Sequence, residues 1–187
     1  MASPYREAGD YLLGIYYHQS NLDYRNITDS AFPAPFTVGP FPVDSASALG
    51  YQQDTEILSL FGQTRISLGS KCALTIGLRY TEEEKDALWG RERLRSGGPA
   101  ADILADLLTP VVAATALTRS EHNLDGSASL QYDVSDRLTT YASWASGSKS
   151  GGFSSDVAVP AEAEFDTEKA QTAELGMKWE LGQGAGR

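Results

Sequence analysis

KCALTIGLRY, residues 71–80, is the stretch on which the reading of this chain turns. Cys72, Leu74, Ile76, Leu78 and Tyr80 share one parity; Lys71, Ala73, Thr75, Gly77 and Arg79 share the other. Successive side chains of a strand point to opposite faces, so the stretch predicts a strand with one apolar and one polar face. NLDGSASLQYD, residues 123–133, repeats the pattern. Leu124, Gly126, Ala128, Leu130 and Tyr132 form its apolar row, and Asn123, Asp125, Ser127, Ser129, Gln131 and Asp133 its polar row. Between Lys169 and Leu181, Ala173, Leu175, Met177, Trp179 and Leu181 oppose Thr172, Glu174, Gly176, Lys178 and Glu180.

Three weaker segments join these. In residues 56–68, Leu58, Leu60, Ile66 and Leu68 share a face with Gly62 and Thr64; Ser59, Gln63, Arg65 and Ser67 share the other with Ile57 and Phe61. Residues 11–19 are short and rich in Tyr, Leu and Ile. Residues 138–147 alternate poorly and read as a strand from their Thr, Tyr and Trp content. The clearer segments are close to the ~9–11 residues with which a tilted strand crosses a bilayer.

The connections between these six segments carry further information. Gly69-Ser70 separates the second from the third, and VSDR, residues 134–137, the fourth from the fifth; both have turn composition. The remaining connections, about residues 20–53, 81–122 and 148–167, are long. Long and short alternate, so an up-and-down meander places every short turn at one edge and every long loop at the other, as in outer-membrane barrels. Tyr132 and Trp179 fall near short-turn ends and Tyr80 at a long-loop end, where interfacial aromatic girdles sit. The first long connection carries Pro33, Pro35, Pro40 and Pro42 and reads as extended and irregular. The second contains Ile103, Leu104, Leu107 and Leu108, which suit a short packed amphipathic helix interrupted at Pro110. TEEEKD, residues 81–86, reads as a solvated strand extension.

Composition excludes several classes. The chain has 187 residues and a formal net charge of −10, which disfavours nucleic-acid binding because phosphate contacts need a basic face. Cys72 is the single cysteine, so no internal disulfide forms, and with His18 and His122 as the only histidines a zinc cluster is not expected. Both histidines read as ordinary strand-end residues. No uncharged apolar run approaches the ~18–20 residues of a membrane helix. The opening MASPYREAGDYLLG does not read as a secretory signal.

Two catalytic readings of TTYASWASGSKSGGF, residues 139–153, compete with a strand running into a loop. Ser146 and Lys149 fit Ser-x-x-Lys, but that chemistry needs a helix, and Gly147, Gly151 and Gly152 oppose one. A phosphate loop needs glycine directly before Lys149, where Ser148 stands.

With these segments placed, the chain resembles the barrel of TonB-dependent outer-membrane receptors. The matching words are LTIGLRYTEEEKD (74–86), LQYDVSDRLTTYASWASGSKSGGF (130–153), FDTEKAQTAELGMKWEL (165–181) and DYLLGIYYHQSNLDY (10–24). The resemblance implies an all-β, antiparallel up-and-down meander of about six strands. This would be an open partial segment of a transmembrane β-barrel, with long loops at one edge and a short helix in one of them. It implies uptake of a nutrient such as an iron–siderophore complex or a cobalamin, driven through TonB, with no catalysis and no cofactor. The partners implied are outer-membrane lipid and a small-molecule nutrient; TonB would engage regions outside these residues, and nucleic acid is not a partner.

On this reading residues 1–187 form one partial barrel domain without plug or signal peptide, and about 22 strands would be needed to close around a plug. The chain alone is expected not to transport, since open sheet edges are not tolerated in hydrocarbon. Arg65, Arg79, Asn123, Asp125, Gln131, Glu174 and Lys178 are candidates to line the lumen, and Lys149 is a candidate loop contact. Cys72 would face lipid. The alternative is a soluble antiparallel β-sheet binding module, which requires the apolar rows to be covered by a second layer.

Overall fold

The computed structural model describes residues 9–38 and 41–181, with side chains described outside 30–43, 100 and 108. Its strands are β1 (Asp10–Val38), β2 (Phe41–Ser67), β3 (Cys72–Arg95), β4 (Val112–Ser135), β5 (Leu138–Lys149), β6 (Gly152–Phe153), β7 (Glu164–Phe165) and β8 (Glu168–Trp179), with one helix, α1 (Pro99–Leu108). Six of the strands form one antiparallel sheet in the order β1-β2-β3-β4-β5-β8, an open meander in which every neighbour is next in the chain but for the small β6–β7 ribbon.

The alternation seen in the sequence is the register of this sheet. Leu74 stands opposite Ile66 on β2 and Leu130 on β4. Leu130 opposes Ala142 on β5, and Ala142 opposes Leu175 on β8. The apolar rows therefore merge into one band across the sheet. Leu13, Ile15, Leu60, Leu78, Leu124, Leu175 and Met177 are among its exposed members, and Leu175 is 85% exposed. No second layer covers this band among the described residues, which removes the soluble two-layer reading. From Cys72 to Tyr80 it runs about 27 Å along β3, or about 21 Å along the membrane normal at the ~40° tilt of such strands. That is close to the ~25 Å apolar height of outer-membrane barrels.

β5 alternated poorly because it carries an aromatic on each face. Trp144 opposes Ala128 and lies in the apolar band, whereas Tyr141 opposes Gln131 on the polar side. Its hydroxyl donates to Glu174 on β8 at 2.5 Å. The short connections are as expected. Gly69 takes φ +82 in the β2–β3 turn, a region glycine enters without the Cβ penalty. Asp136 and Arg137 alone turn β4 into β5.

Two long connections differ from expectation. Residues 20–53 and 81–122 were expected as loops, yet the strands continue through most of both. β1 spans 29 residues and β2 27, paired almost to their joint at Val38 and Phe41, with one register shift between Phe32 and Thr37. That shift brackets Pro33 and Pro35, whose missing N–H groups are tolerated at a bulge on an edge strand. β3 runs on to Arg95 and includes the TEEEKD stretch. The extensions are held by ladder hydrogen bonds and by ion pairs such as Arg95 with Asp29 and Asp44, at 2.7 and 2.6 Å.

The helix forms, but its buried face differs from the one expected. Gly98 at φ 98 opens it and Pro99 occupies the first turn, where its missing N–H is harmless. Ala101 and Ala105 pack down, while Ile103 and Leu107 point away, at 67% and 76% exposure. Arg93 on β3 anchors the packed side by pairing with Asp102 at 3.1 Å and with Asp106. Close approach to the sheet favours the small residues, so Ala101 and Ala105 rather than Ile103 and Leu107 face it. Among the described residues no helix is long and apolar enough to cross a membrane, which says nothing of strands.

Candidate functional site

The third long connection, residues 150–167, folds back across the polar face of the sheet; that face is here called inner. It holds the β6–β7 ribbon and a 3-10 turn at Pro160–Glu162. Lys85 Nζ donates to the Gly151 carbonyl at 2.5 Å, Trp89 Nε1 to Ser155 at 3.3 Å and Arg91 to Val157 at 3.4 Å. Each pair is separated by 66 residues. Contacts two residues apart along β3 thus meet positions two residues apart along the strap, which runs parallel to the strand from Gly151 to Val157. Tyr51 on β2 reaches the intervening carbonyl of Phe153 at 3.4 Å.

Between these contacts lies a small apolar core of Leu49, Tyr51, Ala87, Trp89 and Phe153, flanked by Val112, Leu117 and Val157. Trp89 is fully buried and Phe153 is 8% exposed. Full burial of such a side chain stabilises by about 1.5–3 kcal/mol, more than any of the long polar contacts.

The base of the strap is fixed by charge. Glu83 stands opposite Glu121, and Lys85 opposite Arg119, across β3 and β4. Like charges thus face each other between strands, and each is neutralised along its own strand: Lys85 with Glu83 at 2.7 Å and Arg119 with Glu121 at 3.0 Å. Arg119 also pairs with Glu164 at 2.6 Å, and Thr167 donates to Glu121 at 2.5 Å. Burial alone would push the Glu121 carboxyl up. Hydrogen bonds from Thr167, Arg119 and Ser150, with the Arg119 charge, outweigh it and hold the group below the usual carboxylate range.

Below the strap the inner face opens into a cleft of about 560 Å³. Tyr16, Phe61, Arg79, Asn123, Asp125 and Ser148 are among the residues lining it. Arg79 donates to Ser59 at 3.0 Å and Thr81 at 3.2 Å, and its guanidinium lies 5.7 Å from the Tyr16 ring centre. Ser59 is 1% exposed and fixes this orientation from within the sheet. Asp125 is the register partner of Arg79, but it accepts from Ser148 at 2.7 Å. The cation and the carboxylate face one cleft, each held by neutral groups.

All the residues expected to line a lumen fall on this one face, in two groups and one outlier. Arg79, Asn123 and Asp125 meet at the cleft. Gln131 and Lys178 line a recess of about 400 Å³ near the β4–β5 turn with Tyr141, the partner of Glu174. Arg65 stands apart, opposite Asp10 and Thr75. Lys149 lies at the end of β5, paired at 3.8 Å with Glu168 and 76% exposed, outside the cleft. Ser146 lies on a strand, not a helix, and its hydroxyl is bonded to the backbone of Gly126, so the Ser-x-x-Lys geometry does not form.

His18 and His122 lie inside β1 and β4 rather than at strand ends, stacked on Tyr16 and Tyr80. Tyr16, Phe61, Ser148, Ser150 and Arg119 were not expected at the site. The parity of Phe61 was a legible signal. The fold-back that brings Ser148 and Ser150 under the strap was not.

The inner face also carries two glycine–aromatic pairs. Gly14 is the register partner of Phe61 and Gly176 of Tyr141. A Cβ added at Gly14 or Gly176 would lie within 2.4 or 2.3 Å of the partner ring, so each ring lies over its glycine.

The comparisons with known proteins agree with this architecture. The family described as TonB dependent receptor-like, beta-barrel matches residues 3–187. No curated protein matches the chain. Among solved structures, the ferric yersiniabactin uptake receptor FyuA from Yersinia pestis superposes with a TM-score of 0.64 at 18% identity. The match covers 96% of this chain and 24% of that receptor. At this identity the likeness shows the fold alone, and the chain spans about a quarter of the receptor's length.

Proposed function

The chain belongs to the TonB-dependent receptor β-barrel family, and from that premise we propose that it forms part of the wall of an outer-membrane nutrient receptor. Its apolar band faces lipid, and its inner face lines the path of a small molecule. The observation that carries this reading is the uncovered band on one face of a sheet whose other face gathers the polar rows. Arg65, Arg79, Asn123, Asp125, Gln131, Glu174 and Lys178 then line the lumen. Lys149, at the rim with Glu168, is available to a ligand arriving from outside.

The nutrient class we propose is an iron–siderophore complex, with cobalamin as the competing cargo. The ferric yersiniabactin receptor shares the fold. A cleft that offers a guanidinium, a carboxylate, an amide and aromatic rings suits a large polar chelate. Energy transfer through TonB would run through parts of the receptor beyond these strands.

Spin labels placed along β8 of the receptor in outer membranes test the orientation. Labels at 173, 175 and 177 should be accessible to oxygen dissolved in lipid, and labels at 174, 176 and 178 to a water-soluble nickel chelate. Uniform water access at both rows would overturn the reading. Growth of receptor-deleted cells on single iron–siderophore complexes or on cobalamin, restored by the gene, assigns the cargo.

A further inference from the structure

We propose that residues 150–167 are a fixed ceiling over the Arg79–Asn123–Asp125 cleft, latched by Arg119, and not a lid that opens to admit ligand. The inference rests on the inner face being the ligand face, as proposed above.

The docking of this strap is built into the wall. Lys85, Trp89, Arg91 and Tyr51 donate to main-chain carbonyls of the strap, so its course is set by donors on β2 and β3. Lys85 and Glu83 beneath it are only 11% and 8% exposed. Lifting the strap would strip a carbonyl from the Lys85 ammonium and expose Trp89 and Phe153 to water together. A lid needs a weakly held seat; this one combines a buried aromatic core with two ion pairs that are largely shielded from water.

Arg119 closes the base of the strap. One limb passes it at Gly151, where an added Cβ would lie 2.5 Å from the guanidinium. The returning limb meets it at Glu164, Asp166 and Thr167, at 2.6, 3.7 and 3.5 Å. One side chain, itself 13% exposed, therefore binds the returning limb while packing beside the first. The ceiling and the cleft share Ser150, and Ser148, two residues before the strap on β5, lines the cleft and fixes Asp125. With the strap latched, a ligand reaches Asp125 and Asn123 only from the axis of the barrel. A route down the wall is closed, so the strap selects for ligand groups that project sideways.

Thiol accessibility in intact cells tests this without a known ligand. In a Cys72→Ser background, Ala163→Cys reports the seat, because Ala163 is 1% exposed. Asp156→Cys reports the exposed tip of the strap. With an impermeant maleimide and no ligand added, Ala163→Cys should label at least 100-fold more slowly than Asp156→Cys. Adding Arg119→Met should raise the Ala163→Cys rate at least 10-fold. If that variant does not reach the membrane, Glu164→Gln removes the strap's side of the clamp and should raise the rate in the same direction. Labelling of Ala163→Cys within 10-fold of the tip would make the strap a lid and overturn the proposal. An unchanged rate in the latch variants would overturn the role of Arg119. Membrane fractionation of the same samples reports separately on the receptor reading.

Discussion

The lower and upper halves of β3 keep one backbone alternation but fill it with different side chains. Up to Tyr80 the outer row is Leu74, Ile76 and Leu78, and the inner row is Thr75, Gly77 and Arg79. Above Thr81 the outer row is Glu82, Glu84 and Asp86, and the inner row carries Ala87 and Trp89. The backbone does not change across this point; the surroundings do. Below, in the proposed orientation, apolar side chains turn toward hydrocarbon and polar ones toward a wet interior. Above, the outer row is mostly charged, with Leu88 and Leu94 exposed on it, and Ala87 and Trp89 turn in to meet the strap. On the orientation proposed above, the change of pattern at Thr81 is where the strand would leave the membrane.

This contrast can be broken at several points, and the effects should diminish in a set order. Trp89→Ala removes the largest buried side chain of the upper half and should cost about 3–5 kcal/mol of strap stability. Hydrogen exchange at residues 151–157 would report it, with the lower band unchanged. Ile76→Arg places a charge at the middle of the lower band and should cost about 2–4 kcal/mol, read as a lower denaturant midpoint in lipid. Equal tolerance of arginine at 76 and 84 would remove the membrane boundary.

Acid should act on the upper half. The Glu121 carboxyl is held below its ordinary range, so the stability it contributes is complete above the unfolded value, about 4.3. That contribution is lost as pH falls through the lowered folded value. Acrylamide quenching of Trp89 should rise only below that range, in a Trp144→Phe/Trp179→Phe background. The smallest effect is expected for Glu84→Gln on the outer upper face, within about 0.5 kcal/mol.

Much of the lower half was legible in the sequence, because lipid on one side and water on the other force a strict alternation. Residues 72–80, 124–132 and 173–179 were placed on the right faces by parity alone. The upper half was legible as strand only in TEEEKD, residues 81–86, read as a solvated extension; beyond Asp86 it was not. There the outer row is charged and the inner row mixes Glu83 and Lys85 with Ala87 and Trp89, so residues 81–95 present no clean apolar row. The prolines at 33 and 35 likewise argued for a loop, whereas a bulge on an edge strand accommodates them. The cleft was half legible. Arg79, Asn123 and Asp125 share a parity and Ser148 meets Asp125 across the β4–β5 pair, but Ser150 joins them only where the strap folds back, which no local pattern encodes.

The two inner-face glycines have a consequence for the bore of any passage this wall helps to form. Because Gly14 and Gly176 have no side chain, the rings of Phe61 and Tyr141 settle flat against the neighbouring strand. A single methyl group at either position would prop its ring up like a wedge under a shutter. The clearance available to cargo is then governed by two residues that contribute no surface of their own.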